Sequence, residues 1–174
     1  MIDKFGILIL TMFGVGRSKF APGTLASFIT CLINFPLFIY KPNFILIIIV
    51  FLIFSIYSII LIDLLEKKFK KKDPKEIVID EFIGQSIPIL TLYVTINITG
   101  AVNNNWYDFL GFLSISFFSI FLLFRFFDIL KPFPIYLIDQ KIKNGFGVVF
   151  DDVLAGIFST IIYFIGYIIY YELY

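Results

Sequence analysis

The sequence predicts an all-α integral membrane protein, a bundle of about five transmembrane helices with an N-terminal segment that is interfacial or re-entrant. Three observations carry this. Of the 174 residues, 60% are hydrophobic and only 16% charged, whereas soluble domains carry roughly 25% charged residues. The 24 Phe and 10 Tyr are too many to enclose in one core of this size, and a lipid-facing exterior removes the difficulty. Long uncharged runs then recur at lengths that suit a bilayer, whose hydrocarbon core of about 30 Å takes about 20 residues of helix. No internal repeat or second domain is visible, so residues 1–174 read as one membrane-embedded domain.

In chain order, residues 5–16 are apolar but too few to cross. Arg17 and Lys19 follow where a signal peptide would place small residues, so the segment reads as retained. Residues 22–40 form an uncharged span containing Pro36, expected to kink near its outer end. Residues 44–62, 82–102, 109–124 and 153–171 contain no charge and give the other four spans. Before the third, Asp73 and Pro74 resemble an N-cap and first helical residue with Glu76 at the third position, which would set Asp80 and Glu81 nearly two turns into a helix. At the end of the fourth, Arg125, Asp128 and Lys131 recur every three residues and would share one helix side until Pro132 stops it. Before the fifth, Gly145 and Gly147 allow close backbone approach and positive φ. Asp151 and Asp152 follow, either as a cap and a dipole partner or as members of a site.

Lys and Arg in short connections set orientation. Lys67, Lys68, Lys70, Lys71, Lys72 and Lys75 lie between spans two and three, and Lys131, Lys141 and Lys143 between spans four and five. Both connections are expected on the cytoplasmic side. The connections around Lys41 and around Asn103 to Asp108, with Trp106, are expected outside.

Composition excludes several classes. A net charge of +1 argues against nucleic-acid binding, which needs a cationic face. One Cys and no His exclude an intramolecular disulfide, a thiolate or imidazole zinc site and any histidine base. The two Arg, Arg17 and Arg125, and the acids Asp80, Glu81, Asp128, Asp151 and Asp152 crowd the cytoplasmic ends of the spans. Ionisable groups at membrane depth face a polar interior. Carboxylates without His or Cys suit Mg²⁺, and interspersed Arg and Lys suit a phosphate. Together they point to metal-assisted phosphoryl transfer. The segment 14–24, with Arg17, Lys19 and Thr24, offers an anion cradle or a simple turn into the first span. Other phosphatase chemistries lack their residues: there is no His to phosphorylate, and Leu37 stands where a cysteine phosphatase would need Arg six residues after Cys31.

Four segments carry a family resemblance. They are Ala21-Pro22-Gly23-Thr24 with Ser27; Ile77-Val78-Ile79-Asp80-Glu81-Phe82-Ile83-Gly84; Phe124-Arg125-Phe126-Phe127-Asp128 through Lys131-Pro132-Phe133-Pro134-Ile135; and Gly145-Phe146-Gly147 through Asp151-Asp152-Val153-Leu154-Ala155-Gly156. In this order they resemble the phosphatidylglycerophosphatase A family, membrane enzymes of bacterial phospholipid synthesis. Ala26 and Asn144 stand where that family often has Gly. The resemblance implies Mg²⁺-dependent hydrolysis of the terminal phosphate of phosphatidylglycerophosphate, an anionic phospholipid, at the cytoplasmic face of the bacterial inner membrane.

On that basis Asp80, Glu81, Asp128 and Asp152 are expected to hold Mg²⁺, with Asp151 as an alternative to Asp152. Arg125, Lys131 and Lys19 are expected to bind phosphate, with Arg17, Thr24, Ser27 and Gln85 as further polar contacts. Asp63, Glu66 and Asp139 are weaker candidates. Either water, with Asp152 or Glu81 as base, or an Asp carboxylate can be the nucleophile. The competing class is a transport or channel subunit using the same carboxylates as a cation or proton path.

Overall fold

The computed structural model of the chain describes residues 2–65, 75–99 and 106–173. Among them every regular element is helical: α1 (Ile2–Leu10), a 3-10 turn (Val15–Arg17), α2 (Pro22–Tyr40), α3 (Phe44–Leu65), α4 (Ile79–Thr99), α5 (Trp106–Leu130), α6 (Ile135–Lys141) and α7 (Gly145–Leu173). Most of the expected Lys-rich loop, the Asp73–Pro74 start, Glu66 and residues 103–105 lie outside the described residues.

Four helices, α2, α3, α5 and most of α7, are long and apolar enough to cross a bilayer. The fifth expected span, α4, has 21 residues but is more polar, with Gln85, Ser86 and Thr91 along it. Its position explains the difference: α4 packs against α2, α3, α5 and α7, so most of its surface meets protein, not lipid, and need not be greasy. By contrast α3 exposes Ile45, Leu46, Ile49, Val50 and Ile53.

Contacts between helix ends fix their directions. Asp63, near the end of α3, accepts a hydrogen bond from the Gly145 N–H that opens α7, at 2.5 Å. Gly84 of α4 meets the Asp152 backbone of α7 so closely that an added Cβ would lie 2.6 Å from the carbonyl oxygen. Hence α2, α4 and α7 start at the end of the bundle where α3 and α5 finish. Around that end Leu10, Met12, Ile62, Leu65, Val78 and Ile83 form one core. Toward the other end Phe38 packs edge-on against Tyr93 and Phe117, each centroid 5.3 Å away, and the Tyr93 hydroxyl donates to the Pro42 carbonyl.

Four local expectations are corrected. The helix carrying Asp80 and Glu81 begins at Ile79, so both acids sit in its first turn, not two turns in. The preceding residues are held otherwise: the Val78 N–H donates to the Leu10 carbonyl at 3.0 Å, docking this segment on the N-terminal one. Lys131 does not continue the α5 side shared by Arg125 and Asp128. It takes a left-handed conformation, φ 42°, as the residue that ends the helix, with its N–H bonded to the Phe127 carbonyl at 2.9 Å, and Pro132 prevents the helix from continuing. Asp151 does not cap α7. That helix starts two turns earlier, where Asn144 Oδ1 accepts the Gly147 N–H at 3.0 Å. Gly145 and Gly147 serve close approach alone, since Gly14 is the one described glycine with positive φ. Two elements go beyond the expected spans: α1 within the N-terminal segment, and α6 between α5 and α7.

Candidate active site

Three helix ends build the site. The first turn of α4 supplies Asp80 and Glu81, the last turns of α5 supply Arg125 and Asp128, and the third turn of α7 supplies Asp151 and Asp152. What brings α7 onto α4 is the absence of side chains at the crossing: beyond the Gly84 contact, the space at Gly156 is taken by the Gly84 carbonyl. Close backbones place Asp152 beside Asp80 and Glu81, and one oxygen from each lies within 4.8 Å of the others.

These carboxylates line a cavity of about 400 Å³ together with Asp128, Lys131, Asp139, Lys143 and Asp151. Asp80 Oδ1, Glu81 Oε2 and Asp152 Oδ2 are buried and accept no hydrogen bond among the described residues. Buried anions at such spacing repel, and require a cation or donors to offset desolvation. Three oxygen donors with no nitrogen or sulfur fit a hard divalent cation.

The other charges are paired around this trio. Arg125 Nη1 lies 2.5 Å from Asp128 Oδ2 and donates to Ser27 Oγ of α2 at 3.5 Å, while its buried Nε is unpartnered among the described residues. Lys131 Nζ bridges Asp151 at 2.5 Å and Asp139 at 2.8 Å. Burial alone would lower the Lys131 pKa, yet the hydrogen bonds and charges of Asp139 and Asp151 outweigh it and hold the ammonium above its ordinary value. Lys143 Nζ donates to the Asp139 carbonyl.

The family description phosphatidylglycerophosphatase A matches residues 8–167, a stretch that contains every residue of the cavity. The chain belongs to the phosphatidylglycerophosphatase A family. It is therefore a phosphatase, set in a membrane by its apolar helices. A Bacteroides thetaiotaomicron protein provisionally named phosphatidylinositol-3-phosphatase is 33% identical over 159 residues, 90% of this chain and 89% of that protein. Phosphatidylglycerophosphatase A of Haemophilus influenzae is 39% identical over 92 residues, 53% of this chain and 46% of that protein. The Escherichia coli protein of the same name is 35% identical over 97 residues, 55% of this chain and 46% of its own length. No solved structure matches.

Within this phosphatidylglycerophosphatase A family member, the expected site residues divide. Asp80, Glu81, Asp128, Lys131, Asp151 and Asp152 share the cavity, with Arg125 joined to it through Asp128. Ser27 is buried and reaches Arg125. Gln85 is fully buried one turn beyond Glu81, with neither amide atom partnered among the described residues. Thr24 is half-buried in the first turn of α2. Arg17 and Lys19 line a different cleft, beside Lys75 and Glu76. Sequence reasoning undervalued Asp139, which α6 folds back onto Lys131, and read Lys143 only as a topology signal. Asp63 turns out to cap α7 from a neighbouring helix.

Proposed function

We propose that the protein is a Mg²⁺-dependent phosphatidylglycerophosphatase, which removes the terminal phosphate of phosphatidylglycerophosphate to leave phosphatidylglycerol and inorganic phosphate. The observation that supports this most is the meeting, in one cavity, of the Lys131 ammonium with three carboxylates, each of which has a buried oxygen without a hydrogen-bond partner among the described residues. Asp80, Glu81 and Asp152 would hold the metal, with Asp128 beside them on the wall. Bound Mg²⁺ would neutralise phosphoryl oxygens and acidify a water. Arg125 and Lys131 offset charge on the equatorial oxygens as the ester bond breaks. No His exists, so Glu81 or Asp152 takes the proton of the attacking water, and a carboxyl protonated in this way gives a proton to the leaving glycerol oxygen. The transport alternative does not suit a member of a phosphatase family, and the charged cluster is confined to one end of the bundle.

The near end-to-end match to the Bacteroides protein favours a second reading, a phosphomonoester on an inositol ring, attacked by the same groups. Phosphate release from detergent-solubilised full-length protein decides between them. Release from phosphatidylglycerophosphate with Mg²⁺, and none in excess chelator, is expected. Release from phosphatidylinositol 3-phosphate alone would transfer the assignment to the second reading.

The membrane is proposed to be the bacterial inner membrane with the cavity facing the cytoplasm, because Arg17, Lys19, Lys75, Lys131, Lys141 and Lys143 all lie toward the cavity end of the bundle. Cys31 is buried, so a single new thiol reports cleanly. Lys143→Cys is expected to react with an impermeant maleimide in inside-out vesicles and not in intact spheroplasts. The opposite pattern would reverse the topology.

A further inference from the structure

A second cleft, of about 720 Å³, opens beside the start of α2. Arg17, Lys19 and Lys75 line it against one acid, Glu76. Arg17 Nε lies 3.6 Å from Glu76 Oε2, but both side chains are more than half exposed, so solvent screens the pair. Neither Lys19 nor Lys75 has an ion pair among the described residues. The cleft is therefore cationic, while acids outnumber cations in the cavity of Asp80, Glu81 and Asp152. An anion entering that cavity needs a metal beside it; an anion entering the cleft does not.

The two spaces are neighbours. Pro22 lines the cleft, and at the next residue, Gly23, the place of a Cβ is filled by the Glu81 carboxylate, with Arg125 Nη1 3.4 Å away. Successive Cα atoms lie about 3.8 Å apart, so a short molecule can reach from one space to the other across the first turn of α2. The depth also fits a lipid headgroup. Phe13 and Phe20, on either side of Arg17 and Lys19 in the chain, are 76% and 85% exposed, and apolar rings beside cations anchor a segment at the headgroup boundary.

We propose that Arg17, Lys19 and Lys75 hold the internal phosphodiester of the lipid, the phosphate that stays in the product, while the terminal phosphomonoester lies among the carboxylates and Lys131. This rests on the phosphatase reading above and adds its basis of selectivity. The substrate class is a diacyl lipid bearing two phosphates joined by a short polyol. Phosphatidic acid, whose one phosphate is the monoester, engages only the acidic cavity.

The test compares the full-length wild type with the Lys19→Gln/Lys75→Gln double variant, which leaves the Arg17–Glu76 pair in place. Steady-state rates on phosphatidylglycerophosphate and on phosphatidic acid in Mg²⁺-containing mixed micelles give kcat/KM for each. Inhibition of phosphatidylglycerophosphate turnover by added phosphatidylglycerol, which bears the diester alone, is measured in parallel. The double variant is expected to lose about tenfold or more in the preference for the two-phosphate lipid, through KM, with a matching rise in the phosphatidylglycerol inhibition constant. A preference and an inhibition constant equal to those of the wild type would overturn the proposal, as would an equal loss on both substrates. If the wild type released phosphate from no lipid, the phosphatase reading would fail as well, so the two failures are distinguishable.

Discussion

Asp152→Asn is expected to cut Mg²⁺-dependent phosphate release by about 10²–10³-fold in kcat, as the loss of several kcal/mol of metal-borne charge stabilisation predicts. The metal-free variant is also expected to melt at a higher temperature than the metal-free wild type. The amide keeps the shape of the carboxylate and removes a charge from a trio crowded within 4.8 Å, in which each residue has one buried oxygen without a hydrogen-bond partner among the described residues. Without the cation that trio is a source of repulsion, so its partial neutralisation stabilises. Adding Mg²⁺ should raise the wild-type melting temperature more than that of the variant, since a ligand stabilises only the state that binds it. Asp80→Asn should behave alike. Thermal unfolding in detergent, with chelator and with Mg²⁺, alongside phosphate release, checks both halves. Two fully active variants would remove these residues from metal binding.

Lys131→Met is expected to lose both activity and stability. Its ammonium is the counter-charge of the buried Asp151 and of Asp139, and breaking a charge pair by removing one member strands the other. The Lys131 side chain is 28% exposed, so the cost should be about 2 kcal/mol, below the roughly 3–5 kcal/mol of a fully buried pair. The sign of its pH dependence follows from the raised pKa. A cation whose folded pKa exceeds its unfolded value of 10.5 contributes in full below that value and loses its contribution only as pH rises through the folded pKa. The stability gap between wild type and variant should therefore be constant from about pH 6 to pH 9. Denaturation at several pH values tests this, and a gap that closes near pH 7 would show that another group is the counter-charge.

The spans were legible because lipid imposes one rule on every exposed residue. Even the least apolar of them, α4, has a sequence that reports its place, since Gln85 and Ser86 belong to a helix enclosed by others. Local errors arose where distant chain overruled local signals. The Asp73–Pro74 pattern promised an earlier helix, but Val78 is bonded to Leu10, sixty-eight residues away in the sequence. The regular spacing of Arg125, Asp128 and Lys131 suggested one helix side, yet the left-handed end of α5 at Lys131 takes it off that side, and it pairs with Asp139 and Asp151. Helix α6 has seven residues, too short for hydrophobic periodicity to reveal. The acidic residues and their gathering at one end of the spans were readable; the backbone contact that brings them together was not. Gly84 and Gly156 were the available clue, and each mattered for what it lacks.

The division of the acidic trio between α4 and α7 also sets a schedule. A chain made from its N-terminus places Asp80 and Glu81 in the membrane well before Asp152 is synthesised. Through that interval two of the three clustered carboxylates exist without the third, and Arg125, Asp128 and Lys131 arrive between them. An interrupted nascent chain thus carries helices that enter the lipid but not the whole of the acidic cavity. The cavity closes only when α7 packs Gly156 against Gly84, so its assembly waits on the last helix described.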